Sequence, residues 1–199
     1  MIKYILAIFS ISIMFGITAS KVFAASDPVL NGTTDATVNL TGGASGLSIA
    51  AAPNFNFGKS EISSVATTLT SSGTASDGSA IAAQVSDARG TGEGWDLRVS
   101  LGSPFKLSDS EGGHLLNGAV LKLRTKTATS TGTGQAPGTL VNELTLNAAS
   151  QSSVRADVGQ GMGTWSMPYT NATLMVPAGN YIGAYTATIN WSLTDAPQK

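Results

Sequence analysis

No cysteine occurs in the 199 residues, and there is a single histidine. The first absence excludes a disulfide framework, a thiolate metal site and a cysteine nucleophile. The second leaves little room for an imidazole zinc cluster or for several histidines acting together. Charge is scarce as well: 11 Lys and Arg face 12 Asp and Glu, together 12% of the chain, so there is no basic stripe to neutralise nucleic-acid phosphates. What is plentiful is small. The chain carries 23 Gly, 24 Ser and 23 Thr, a composition that favours strands and turns over long helices.

Catalytic patterns are missing too. There is no Gly-x-Ser-x-Gly elbow, and the Gly and Thr run at Ser130–Gly134 lacks the Lys-Ser/Thr of a phosphate-binding loop. His114 sits in Gly112-Gly113-His114-Leu115, the context of an ordinary turn histidine, and the carboxylates are scattered. The expectation is a protein that is not an enzyme and needs no cofactor or metal.

Residues 1–24 read as an address. Lys3 supplies a minimal positive start, an apolar run follows from Tyr4 to Ile17, and Val22 and Ala24 stand at the small-residue positions before a cut. The apolar run is short for a membrane span of ~20 residues. We expect export and cleavage near Ala24–Ala25, the alternative being an uncleaved N-terminal anchor. Cleavage removes Lys3 and Lys21, leaves nine basic and twelve acidic residues, and leaves no membrane span. The remaining length suits one domain able to bury about 70% of its unfolded surface. Residues 25–39 read as an arm or first strand, and residues 40–199 as the domain.

Period-2 alternation dominates that domain. Trp95, Leu97, Val99 and Leu101 fall on one face, with Asp96, Arg98 and Ser100 on the other. Similar runs occupy Ala119–Thr125, Leu140–Leu146 and Ala172–Val176. The longest places Tyr181, Gly183, Tyr185, Ala187, Ile189, Trp191 and Leu193 together, and a bend or bulge near Gly183 would relieve its length. Shorter candidates lie at Thr37–Leu40, Leu47–Ala50, Phe55–Phe57 and Ile81–Val85. Glu61–Ser79 reads as a short strand or a surface loop, and Ala128–Gly138 as an exposed loop. Ser108–Asn117 and Ser150–Asp157 could each supply one helical turn. The pattern predicts an all-β fold: a single antiparallel β-sandwich of Ig-like or Greek-key type.

Gly94-Trp95-Asp96-Leu97, and then the run from Tyr185 through Trp191-Ser192-Leu193 to Thr194-Asp195-Ala196-Pro197, resemble the two signatures of the WxL domain. Leu47-Ser48-Ile49, Pro53, Phe55-Asn56-Phe57-Gly58 and the Val85–Gly90 lead-in with Asp87 and Arg89 support the resemblance, which runs from near Leu40 to Ala196. Asn190 stands where the family often has Thr. The resemblance implies a secreted surface protein of low-GC Gram-positive bacteria, associated non-covalently with the cell wall through peptidoglycan. It also implies partners among membrane-anchored WxL-interacting proteins and other surface proteins.

The signature residues Trp95, Asp96, Leu97, Trp191, Ser192 and Leu193 are therefore the candidate wall or partner contacts, with Asp87, Arg89 and Trp165 as secondary candidates. Trp suits a glycan because its apolar face stacks on a sugar and its indole N–H donates a hydrogen bond. The alternation, however, puts both signature tryptophans on the core-facing side of their strands, which favours packing. Trp165, in the Gly-rich run from Gly161, reads as a freer, exposed stacking residue or as a core residue at a strand end. Asp87 and Arg89 read as a polar contact or as a pair bracing the Gly-rich turn that follows. Two further readings stay open: an adhesin-like sandwich for a host or environmental protein or glycan, and a polymer subunit docking by strand addition at an exposed edge.

Overall fold

The computed structural model of the chain describes residues 35–71 and 81–195. The chain divides into two units, residues 1–39 and 40–199. The proposed signal peptide lies outside the described residues, as does most of the arm. Residues 35–40 take no regular structure, so the strand expected at Thr37–Leu40 is absent.

The second unit is built from β1 (Leu47–Ala51), β2 (Thr67–Thr70), β3 (Ala82–Asp87), β4 (Trp95–Leu107), β5 (Val120–Leu123), β6 (Thr139–Leu140), β7 (Leu144–Thr145), β8 (Gln151–Ala156), β9 (Gly163–Pro168), β10 (Thr173–Val176) and β11 (Tyr185–Asp195). A 3-10 turn at Asp109–Glu111 is the helical content of the described residues. The all-β class is as expected, and every strand pairing is antiparallel. The arrangement is finer than a two-sheet sandwich: the strands form three sheets ordered β1-β3-β9, β2-β10-β5-β7 and β11-β4-β8-β6.

Alternation built most of these strands, and where it failed the cause is visible. Gln151–Ala156 is strand β8, not a helical turn. The pairing of β4 with β8 shifts register between Leu97 and Arg98, so Ser153 and Val154 are both buried in succession and the period-2 signal is broken. The run Leu140–Leu146 is not one strand. It divides into β6, paired with β8, and β7, paired with β5 in another sheet. Phe55–Phe57 turns Phe55 and Phe57 toward the core but pairs with no strand among the described residues. The Gly-rich run after Gly161 becomes β9, which lies against β3 with Trp165 opposite Val85.

The core gathers Ala83 and Val85 of β3, Trp95, Leu97 and Val99 of β4, Leu121 and Leu123 of β5, Val154 and Ala156 of β8, Trp165 and Met167 of β9, and Leu174 of β10. With no disulfide to constrain the unfolded chain, removing this apolar surface from water is the main stabilising term, about 1.5–3 kcal/mol for each large side chain fully buried. The buried Tyr169 hydroxyl lies 2.5 Å from Ser153 Oγ, which satisfies two polar groups that burial would otherwise penalise.

Candidate functional site

The two Trp-x-Leu runs, 96 residues apart in the chain, are neighbours in space. β4 and β11 pair antiparallel with Leu97 opposite Leu193, Arg98 opposite Ser192 and Val99 opposite Trp191. Side chains at alternate positions share a face, so Trp95, Leu97 and Val99 join Trp191 and Leu193 on one side. Asp96, Arg98, Asn190 and Ser192 share the other.

The two tryptophans nevertheless have different environments. Trp95 is 0% exposed, and its indole N–H donates to the Gly161 carbonyl (3.0 Å). The chain passes so close that a Cβ on Gly161 would lie 2.4 Å from Trp95 Nε1, and one on Gly94 would lie 2.3 Å from the Ala156 carbonyl oxygen. Both glycines have positive φ, 73° and 81°. Trp95 is thus a core residue with a saturated donor, closed to any ligand. Trp191 is only half-buried and meets Tyr169 edge-on, with ring centroids 5.4 Å apart.

Asp96 points to the polar face yet is 3% exposed. Its carboxylate accepts hydrogen bonds from Ser152 Oγ (2.5 Å) and Arg98 Nη1 (2.8 Å), and Arg98 is itself tied to Ser150. Each oxygen of this carboxylate thereby accepts one hydrogen bond from within the protein. Leu97 is fully buried. Leu193 packs half-buried against the core, and Ser192 is exposed on the outer face.

Asp87 and Arg89 brace the passage from β3 into β4. Arg89 donates to both Asp87 oxygens (3.0 and 2.9 Å) and to the Gly94 carbonyl (2.7 Å). Burial pushes the Asp87 carboxyl up, but the Arg89 side chain and backbone N–H outweigh it and hold the group below the usual carboxylate range. The pair therefore fixes the turn that delivers Trp95 into the core. Of the two readings of Trp165, the structure takes the core residue of a strand and not the exposed stacking one. It is 5% exposed and its N–H donates to the Met162 carbonyl (3.0 Å), because β9 alternates Thr164 and Ser166 outward with Trp165 and Met167 inward.

The signature strands also border a cleft of about 820 Å³. Tyr185, Ala187, Ile189 and Trp191 of β11 form one wall, and Phe55 and Phe57 stand on the segment that contributes another. Ile62, Val65, Tyr181 and Ile182, all exposed, lie at the same cleft. Among the described residues, Glu61 is the one charged residue in its lining. Ile62, Val65, Tyr181 and Ile182 carried no functional signal in the sequence. Only the Phe55-Asn56-Phe57 alternation and the start of the last strand pointed toward part of the wall.

On the outer face of β11, Thr186, Thr188, Asn190 and Ser192 are all exposed. They form a row of hydroxyl and amide groups without charge. No helix among the described residues is long and apolar enough to cross a membrane.

A family model described as WxL domain, surface cell wall-binding, matches residues 23–197 of the chain. Neither the curated proteins nor the solved structures contain a match.

Proposed function

The chain belongs to the WxL family of surface cell wall-binding domains, and from that premise we propose that it attaches non-covalently to peptidoglycan as a non-catalytic, exported component of a cell-surface complex. The observation that carries the wall contact is the uncharged row Thr186, Thr188, Asn190 and Ser192 on the outer face of β11. A glycan strand is itself a chain of hydroxyl and amide groups, and such a row offers both donors and acceptors to it without ion pairs. Trp95, Leu97 and Asp96 support this contact from within: they fix the neighbouring strand and touch no ligand themselves.

Co-sedimentation with purified peptidoglycan at physiological salt tests the reading. The folded wild-type chain is expected in the pellet. Replacing two members of the row, Thr188→Glu with Ser192→Glu, should release it while leaving the melting temperature unchanged. Wild-type protein that stays in the supernatant would refute wall attachment, and a double variant that pellets as well as wild type would move the contact off this face.

A further inference from the structure

The chain is poor in charge, yet part of what it has stands in one row. In β5 and the residues just after it, Leu121, Leu123 and Thr125 are buried, while Lys122, Arg124 and Lys126 alternate with them and reach solvent. Alternate residues of an extended chain lie ~6.7 Å apart on one face, so three cations follow one another along a single line. Glu143 is the one carboxylate paired with this row among the described residues. Outside these four residues, residues 25–199 hold six basic and eleven acidic residues, so the row is a local excess of positive charge on an otherwise acidic chain.

Glu143 shows what the row takes. Its carboxylate sits between two of the cations, accepting from Lys122 Nζ (2.7 Å) and Arg124 Nε (2.6 Å), and these two side chains hold it below the usual carboxylate range. Lys126 is exposed and has no ion pair or hydrogen bond among the described residues. The surroundings are hydroxyl groups: across the sheet, Thr70, Thr173 and Thr145 stand level with Lys122. Such a face lacks the aromatic anchors of a protein interface and the apolar insertion that holds a helix on a membrane. Three cations are also too few for a nucleic-acid duplex, whose binding rests on roughly six to ten phosphate contacts. The charge complement of a straight row is a flexible polymer that bears one oxyanion in each short repeat. A phosphodiester chain has this form, and both the Arg fork and the Lys ammonium match its free oxygens.

We propose that the outer face of β5 is a second cell-surface contact, in which Lys122, Arg124 and Lys126 bind successive phosphates of a phosphodiester-linked polyol and Glu143 holds the Lys122–Arg124 position until a phosphate displaces it. Thr145 and Thr173 offer hydroxyl donors on either side of Lys122. The presence of such a polymer around the protein rests on the cell-surface reading given above. The contact itself uses no residue of β11 and is independent of the uncharged row there.

The test titrates soluble poly(glycerol phosphate) into the folded chain by calorimetry. Binding should weaken about tenfold between about 50 and 200 mM salt, as counterion release predicts when about three phosphates are neutralised on a flexible chain. Lys122→Gln with Lys126→Gln should weaken binding about tenfold at the lower salt and flatten the salt dependence, whereas Lys122→Arg with Lys126→Arg should retain both. Glu143→Gln should tighten binding, because it removes a competitor and a like charge together. These side chains lie on the outer face, so all three variants should melt close to wild type. The proposal is overturned if the polymer does not bind, if the Gln double variant binds as tightly as wild type, or if Glu143→Gln leaves the affinity unchanged or lowers it. It is equally overturned if polyglutamate of equal charge or vesicles of anionic lipid bind as tightly as the polymer, since the row would then serve an acidic protein or a membrane. Peptidoglycan freed of phosphodiester polymers should pellet the Gln double variant as it does wild type, which separates failure here from failure of the wall reading.

Discussion

A tryptophan in a recurring tripeptide invites reading as a ligand contact, and here the two copies part company. Trp95 is enclosed on all sides, with its one donor committed to Gly161. Trp191, paired beside Val99 on the same face, keeps part of its ring open to the cleft. Trp95→Ala should therefore cost about 3–5 kcal/mol in denaturant unfolding, and any loss of binding should follow from loss of the fold. Trp191→Ala should cost clearly less, because less contact surface is forfeited. Equal losses for the two variants would contradict the difference in burial. The inward orientation of both rings was legible from alternation. Their unequal enclosure was not, because it depends on Gly161 and Ala156, which lie more than sixty positions along the chain from Trp95.

At the scale of elements, the fold depends on close approaches that only glycine permits. The turn from β8 to β9 presses Gly161 onto the Trp95 indole and the Ala156 methyl. Gly161→Ala would combine left-handed backbone strain with overpacking, and should lower stability by about 2–4 kcal/mol; a variant as stable as wild type would show that the turn can move away. Strands with unbroken alternation, such as β4 and β11, could be read from sequence. β8 was hidden by its register shift, and β9 by Gly161 before it and by Gly163 and Pro168 at its two ends. The pairing of β4 with β11 is a long-range choice that local pattern does not encode. It is nevertheless what brings the two signatures together.

Taken whole, the described domain stakes its stability on one apolar core and a few satisfied polar groups, and its pH limits follow from two of them. Asp87 is held below its ordinary range in the folded state, so the unfolded chain binds the proton first as pH falls. Its contribution is complete above the unfolded carboxylate pKa of ~3.9 and disappears as pH drops through the folded value. Burial pushes the Tyr169 hydroxyl up to about 12, against a smaller opposing effect of Ser153. The unfolded chain then loses that proton first, and stability should fall as pH rises from ~10 toward that value. Thermal melts across pH should show both declines, with Asp87→Asn flattening the acid limb and Tyr169→Phe the alkaline one. Unaltered limbs in these variants would assign the titrations to other groups.

The scarcity of cysteine, histidine and charge narrowed the chemistry to be expected, and the family signatures pointed to the cell surface. The cleft was not legible, because Phe55, Ile62, Tyr181 and Ile182 come from separate segments and resemble any other apolar residues in the sequence. The uncharged row on the outer face of β11 was legible only as the polar half of an alternating strand.

The most direct measurement is the fraction of folded chain that co-sediments with purified peptidoglycan at physiological salt, read alongside the melting temperature of each protein. Wild type should pellet, and the Thr188→Glu, Ser192→Glu variant should remain soluble with the wild-type melting temperature. Wild-type protein left in the supernatant, or a double variant that pellets undiminished, would contradict a wall contact on the outer face of β11.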